Sequence, residues 1–269
     1  MKLGIGTYCY MWSIGFPGAR PERPLTASGL LEKARELGVH LVQVGPNLPL
    51  GDLPEAELAA FVVRAQEWGI ELELGTRGLE RDHLERQIRL ARRIGATLLR
   101  TIPEVGGQTP ALADLPGHLS AIRPLLEGEG VRLGLENGKI PAADLRAVLD
   151  DLDSRHVGVI LDTVNSLAIS EGWRYVAETL APHTVCLHHK EFVVERVWHM
   201  MGFSVQGRPA GQGQVDTPWL LDLLRAADAR FNVVLEVWPP EQETLAATIA
   251  LEQAWVRESI GFLRGYVRD

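Results

Sequence analysis

Apolar residues recur along the chain in short blocks of strand length, and longer stretches of helical period separate them. The joints between the two patterns share one form. A helix-like segment runs into a glycine, and a run rich in Val, Ile or Leu follows. The joints are Glu36-Leu37-Gly38-Val39, Glu67-Trp68-Gly69-Ile70, Arg93-Ile94-Gly95-Ala96 and Glu129-Gly130-Val131. Glycine just past a helix end reaches the left-handed conformation used there. This pattern predicts eight strands: Leu3–Tyr8, Leu41–Val44, Ile70–Leu74, Thr97–Ile102, Val131–Glu136, Val157–Asp162, Thr184–His188 and Asn232–Val237.

Helical patterns lie between them. Ser28 is placed to cap Leu30–Leu37, whose Leu30, Leu31, Ala34 and Leu37 share one face. Pro54 opens Glu55–Trp68, Pro141 opens Ala142–Leu152 and Pro218 opens Trp219–Ala227, as proline suits the first helical turn. A long amphipathic segment, Leu245–Tyr266, closes the chain.

Strict alternation of strand and helix implies a parallel sheet. Eight units in 269 residues predict a closed (β/α)₈ TIM barrel, an α/β fold that typically takes about 250 residues. An open doubly wound sheet would favour a Gly-rich phosphate loop after an early strand. Gly4-Ile5-Gly6 instead sits inside the first strand. No linker or low-complexity tract divides the chain, so a single domain is expected over 1–269. The longest irregular stretch, Phe192–Gln214, follows the seventh strand, and loops of that length are usually functional or disordered.

Composition narrows the partners. With 27 Lys and Arg against 35 Asp and Glu, the net charge is −8, which opposes binding to nucleic acid through general basic character. Cys9 and Cys186 are too few for a disulfide framework, so a reducing, cytoplasmic setting is expected. No apolar run is long enough to span a bilayer, and no signal peptide is read at the N-terminus.

The active site of such a barrel lies at the C-terminal ends of its strands. The last four predicted strands end in Glu136, Asp162, His188 and Glu236. The residues two before them on the same face are Gly134, Ile160, Cys186 and Val234, all small or apolar as a barrel interior requires. Three carboxylates brought together repel one another unless a cation neutralises them. Three carboxylates and one imidazole form a mostly hard donor set. It suits one divalent ion, Mn²⁺, Mg²⁺ or Co²⁺, with Zn²⁺ also allowed and Fe²⁺ left open. Parity assigns the inward position to His188. His189 then faces the helix layer, where a structural hydrogen bond is expected.

Further candidates line the same rim. Arg208, ahead of Gly211-Gln212-Gly213, is placed to bind a substrate hydroxyl, carboxylate or phosphate. His199 lies in the long loop as a candidate proton donor. Lys190 shares the inward face with His188, and its alternative role is a salt bridge to Glu191 or a neighbouring loop. Arg100 and Glu104 flank the end of the fourth strand and Gln43 that of the second, suited equally to substrate contact and to ion pairing. Tyr8, Tyr10, Trp12 and Trp238 offer aromatic faces on which a sugar could stack, or that pack under a loop.

On Leu135-Glu136-Asn137, Leu161-Asp162-Thr163-Val164-Asn165, His188-His189-Lys190-Glu191, Gly211-Gln212-Gly213-Gln214-Val215-Asp216 and Leu235-Glu236-Val237, the sequence resembles the xylose isomerase-like barrels of the sugar isomerase/epimerase superfamily. The resemblance spans essentially the whole chain. It implies that Glu136 and Glu236 ligate the metal and also serve as the proton-transfer pair, while Asp162 and His188 are ligands only. Two departures stand out. Asn165 replaces a second histidine common in that family, leaving a hydrogen-bonding residue for a substrate hydroxyl. Glu191 stands for the commoner Asp.

The resemblance implies a metal-dependent sugar or sugar-acid isomerase/epimerase that moves a proton next to a carbonyl through an enediolate. The alternative is a metal-dependent decarboxylase of a 3-oxo sugar acid, which should need a cationic pocket where a neutral ketose should not. An apurinic-endonuclease-like activity fits less well, because Asn165 stands where a needed histidine would be and the charge balance is acidic. A barrel that binds sugar without turnover is the non-enzymatic alternative. The expected partner is a small carbohydrate, with no nucleic acid and no membrane. A second copy of the chain stays open as a partner: the closing helix, with Trp255 and Phe262, is suited to contact one and equally to pack on the barrel wall.

Overall fold

A computed structural model describes residues 1–267. The single-domain expectation over 1–269 thus includes two residues outside those described. Eight parallel strands close on one another: β1 (Leu3–Gly6), β2 (Leu41–Val44), β3 (Glu71–Arg77), β4 (Leu98–Ile102), β5 (Arg132–Glu136), β6 (Val157–Asp162), β7 (Thr184–His189) and β10 (Asn232–Leu235). β10 pairs with both β7 and β1, completing the barrel. The fold is the (β/α)₈ barrel that the alternating pattern predicts. Strands β8 (Glu191–Arg196) and β9 (Phe203–Arg208) form a separate antiparallel hairpin.

The helices are α1 (Met11–Ile14), α2 (Ala27–Leu37), α3 (Glu55–Glu67), α4 (Arg81–Arg93), α5 (Leu115–Glu129), α6 (Ala142–Leu152), α7 (Trp173–Leu180), α8 (Thr217–Ala226) and α9 (Leu245–Leu263). Leu30, Leu31 and Ala34 of α2 are fully buried, as the face of the helix requires. Its cap is Thr26 rather than Ser28, with the Thr26 side chain accepting from the Gly29 N–H. Gly38 and Gly130 end their helices in the left-handed region, at φ of 64° and 67°.

Inside the barrel, side chains alternate in layers. Leu41, Leu98, Ile160, Cys186 and Val234 form a buried apolar cluster. Two residues further along each of those strands stand Gln43, Arg100, Asp162, His188 and Glu236. β5 follows the same rule, with Gly134 below and Glu136 above. A Cβ on Gly134 would lie 2.3 Å from Ile160 Cδ1, so glycine leaves the space that the isoleucine fills.

The stretch Phe192–Gln214 is not irregular. Most of it is the β8–β9 hairpin, in register from Glu191 opposite Arg208 to Arg196 opposite Phe203. β1 ends at Gly6, earlier than its apolar run suggests, because Thr7–Tyr10 turns into a 3₁₀ helix that leads into α1. Among the described residues no helix is long and apolar enough to cross a membrane.

Candidate active site

The four strand-end residues meet at the C-terminal mouth of the barrel, each almost fully buried. β6 and β7 set Asp162 directly opposite His188 in register, and Glu136 lies opposite Ile160. Glu136, Asp162 and His188 each bring one ligand atom within 4.8 Å of the others. Glu236 follows β10, and its Oε1 lies 3.3 Å from His188 Nδ1. His189 points away, as parity predicts, with Nε2 2.8 Å from Thr217 Oγ1. Burial pushes the His189 imidazole down to about 4 and keeps it neutral.

Two cations enter this carboxylate layer. Arg100, 4% exposed, donates from Nε to Glu136 Oε2 and from Nη1 to the Thr76 carbonyl at 3.2 Å. Lys190 Nζ lies 2.7 Å from Asp162 Oδ2, 2.8 Å from Glu236 Oε2 and 3.2 Å from Asn165 Oδ1. Asn165 Nδ2 in turn donates to Glu136 Oε1 at 2.5 Å. Both oxygens of Glu136 therefore accept from fixed donors.

The electrostatics follow from this arrangement. Burial works to raise the Glu136 carboxyl, but Arg100, then His188 and Lys190, hold it below the ordinary glutamate range. Glu236 is likewise held low against its burial, by Lys190 and then His188. Burial works to lower Lys190, and Asp162 and Glu236 outweigh it, so the ammonium is held charged. Below this layer, burial raises the carboxyl of Glu73 in spite of hydrogen bonds from Asn232 and Gln43.

A pocket of about 370 Å³ opens over the layer. Of the residues proposed from the sequence to touch substrate, Tyr8, Arg100, Asn165 and Lys190 line it, together with Glu136, Glu236 and Trp238. Met11, Ile102, Val164 and Val237 supply apolar wall, and nothing in their spacing singles them out. Three expected substrate residues are not among the lining. Trp12 sits on α1, with its ring 5.1 Å from Phe16 and its backbone N–H donating to Glu252. Arg208 pairs with Glu195 across the hairpin at 3.5 Å. His199 is at the hairpin tip against Trp198.

The donor set fits a divalent ion. Both ring nitrogens of His188 and Glu236 Oε1 are buried without a formed hydrogen bond, Nδ1 and Oε1 lying 3.3 Å apart, while Asp162 Oδ2 faces the Lys190 ammonium at 2.7 Å. Buried polar atoms are rarely left so, and these are hard oxygen donors and an imidazole.

The family model of the xylose isomerase-like TIM barrels matches residues 15–266. The chain belongs to that family. It is 33% identical to the 3-oxo-isoapionate decarboxylase of Pectobacterium atrosepticum, over all of this chain and 96% of the relative. The D-psicose 3-epimerase of Clostridium cellulolyticum H10, solved with D-tagatose, matches along the full length of both chains with TM-score 0.75 and 15% identity. A xylose isomerase-like barrel protein of Mycobacterium smegmatis, solved with magnesium, covers 96% of each chain with TM-score 0.68 and 17% identity. At such identities the two structures share the xylose isomerase-like fold with this chain.

Proposed function

We propose that the protein is a divalent-metal-dependent decarboxylase of a 3-oxo sugar acid. The observation that carries this reading is the charge of the buried layer. Glu136, Asp162 and Glu236 face the two cations Arg100 and Lys190, which leaves one formal negative charge. A divalent ion reverses that to one positive charge. A sugar monocarboxylate neutralises the remainder, and a neutral ketose does not. The 33% identity to a decarboxylase that acts on 3-oxo-isoapionate supports the same class.

The commitment of Glu136 points the same way. Epimerisation by two carboxylates needs one base and one proton carrier, each free to act. Donors from Arg100 and Asn165 occupy both oxygens of Glu136, whereas Glu236 Oε1 has only the His188 imidazole beside it, at 3.3 Å. Decarboxylation needs no proton removed from carbon and only one delivered.

Asp162, His188, Glu236 and Glu136 would hold the ion, which when bound supplies positive charge to stabilise the oxygen anion that develops at the keto group. Arg100 binds and orients the substrate carboxylate. The C–C bond breaks, its electron pair enters the enediolate, and neutral CO₂ departs along Ile102, Val164 and Val237. Lys190 then gives a proton to the enediolate carbon. Its ammonium is a weak acid, but that carbon is a much stronger base than an amine, so the transfer runs downhill. Tyr8 and Trp238 cover the pocket and exclude water.

The test is CO₂ release from synthetic 3-oxo sugar acids with Mn²⁺ or Mg²⁺ added, run beside ketose epimerisation. CO₂ release is expected, with Arg100→Met raising KM for the acid by about 100-fold, the scale of a lost charge-assisted contact. Turnover of ketoses with no CO₂ from any 3-oxo acid would overturn the reading.

A further inference from the structure

Two apolar features outside the pocket remain without a role. The first is the tip of the β8–β9 hairpin. Trp198 is 93% exposed, Met201 87%, Phe203 64% and Met200 60%. An exposed apolar patch of this kind on a soluble barrel marks a contact surface. The tip is also pre-shaped. Val197 and Gly202 bond across it, Arg196 Nη1 donates to the Met200 carbonyl at 2.8 Å, and the Arg196 guanidinium lies 4.9 Å from the Phe203 ring centroid. A two-stranded ribbon is marginal by itself, and this one pairs with no other strand.

The second feature is a groove of about 750 Å³, larger than the active-site pocket. Phe16 and Leu25 line it from the segment between β1 and α2, Leu48 and Leu53 from the segment between β2 and α3, and Ala60 from α3. Those segments and the hairpin all follow strand C-termini, so knob and groove lie on the same end of the barrel. Their rims carry charges of both signs: Arg196 and Glu195 beside the tip, the latter weakly paired with Arg208 at 3.5 Å, and Arg20 and Glu57 on the groove.

We propose that the groove receives the hairpin tip of a second copy of this chain, so that the protein is a reciprocal two-fold dimer joined through its strand-end faces. One partner carries both halves of the contact, and a two-fold axis uses both at once and closes the assembly. The area is sufficient. A stable interface covers about 800 Å² per partner. Two aromatic side chains at about 150–250 Å² each, with two methionines, supply more than half of it before the groove walls are counted. The charge pattern favours a copy over an unrelated acidic or basic partner, since each rim bears one residue of each sign.

Light scattering coupled to gel filtration tests this at micromolar concentration. The wild-type chain is expected at twice 29.7 kDa. Trp198→Ser with Met201→Ser, and separately Ala60→Arg, are expected at the monomer mass. All three side chains are exposed, so a wild-type thermal melt confirms that each variant folds. Mixing Trp198→Cys chains with Ala60→Cys chains under oxidation is expected to give a mixed disulfide dimer. A monomeric wild type, or a dimer that survives both sets of substitutions, overturns the proposal. Loss of the dimer by the tip variant alone, without the mixed disulfide, overturns it too, because the tips would then meet each other.

Discussion

Glu191 directs its carboxylate away from the pocket and into the loop behind it. Oε1 accepts from the N–H groups of Phe192 at 3.1 Å and Val215 at 3.0 Å, and Oε2 from Gly211 at 3.0 Å. The longer Glu in place of Asp is what reaches that loop. Gly213 completes the arrangement, since a Cβ there would lie 2.3 Å from the Phe192 carbonyl oxygen and 2.4 Å from Glu191 Oε1. Gly213→Ala is expected to cost about 1–3 kcal/mol in urea unfolding, as overpacking does. Gly117→Ala, in α5 with open space around it, should be neutral or gain up to about 1 kcal/mol. Equal midpoints for the two variants would contradict the close approach. At this scale the sequence was informative wherever strand parity decides orientation, as it does for His188 against His189. It marked Arg100 and Glu136 separately but not as a pair, because a guanidinium reaching from one strand to the next leaves no mark in spacing.

Among the elements, α9 holds the rim of the site. Glu252 is buried and accepts from the Trp12 N–H at 2.7 Å, the Ser13 N–H at 3.0 Å and Ser13 Oγ at 2.6 Å. It thereby fixes the turn that carries Tyr8 and Met11 to the pocket. Burial outweighs these donors and raises its carboxyl to about 7 from the usual 4.5. The folded state thus holds this proton more tightly than the unfolded chain. The associated stability is complete below about pH 4.5 and is lost as pH rises to about 7, amounting to about 3 kcal/mol. Glu252→Gln keeps an acceptor and does not titrate. Chemical denaturation from pH 5 to pH 8 should therefore show the variant gaining on the wild type by about 2.5 kcal/mol, and parallel profiles would refute the assignment. The turn itself was hidden in the sequence, since Thr7–Tyr10 continues the apolar run of β1. The hairpin was hidden too, because β8 and β9 pair only with each other across a turn that lacks the Asn-Gly or Asp-Gly signal.

At the scale of the molecule, the barrel was legible because eight repeats of one pattern leave few other ways to bury their apolar faces. The polar layer it encloses makes stability depend on solution conditions. An ion that binds only the folded chain, at a hundredfold excess over its Kd, adds about 2.7 kcal/mol. For a chain of this size that is a rise in Tm of roughly 5–10 °C. Manganese or magnesium added after chelation should produce it, and Asp162→Asn should abolish it. A melt indifferent to every divalent ion would remove metal from the site.

The pairing of β1 with β10 carries one more consequence. The Val233 N–H donates to the Lys2 carbonyl at 2.8 Å, and Lys2 N donates to Asn232 Oδ1 at 2.9 Å, across 230 positions of sequence. A chain emerging from the ribosome makes its first strand early and its closing strand last. Until then the sheet is an open ribbon with two bare edges, each able to pair with another nascent chain. Glu236 and its neighbours on β10 arrive in the same late step, so an unfinished chain has neither a sealed barrel nor a complete carboxylate layer. Synthesis that stalls before this strand would yield an aggregation-prone fragment rather than a weak enzyme, and crowded translation makes chaperone capture of the open form the natural safeguard.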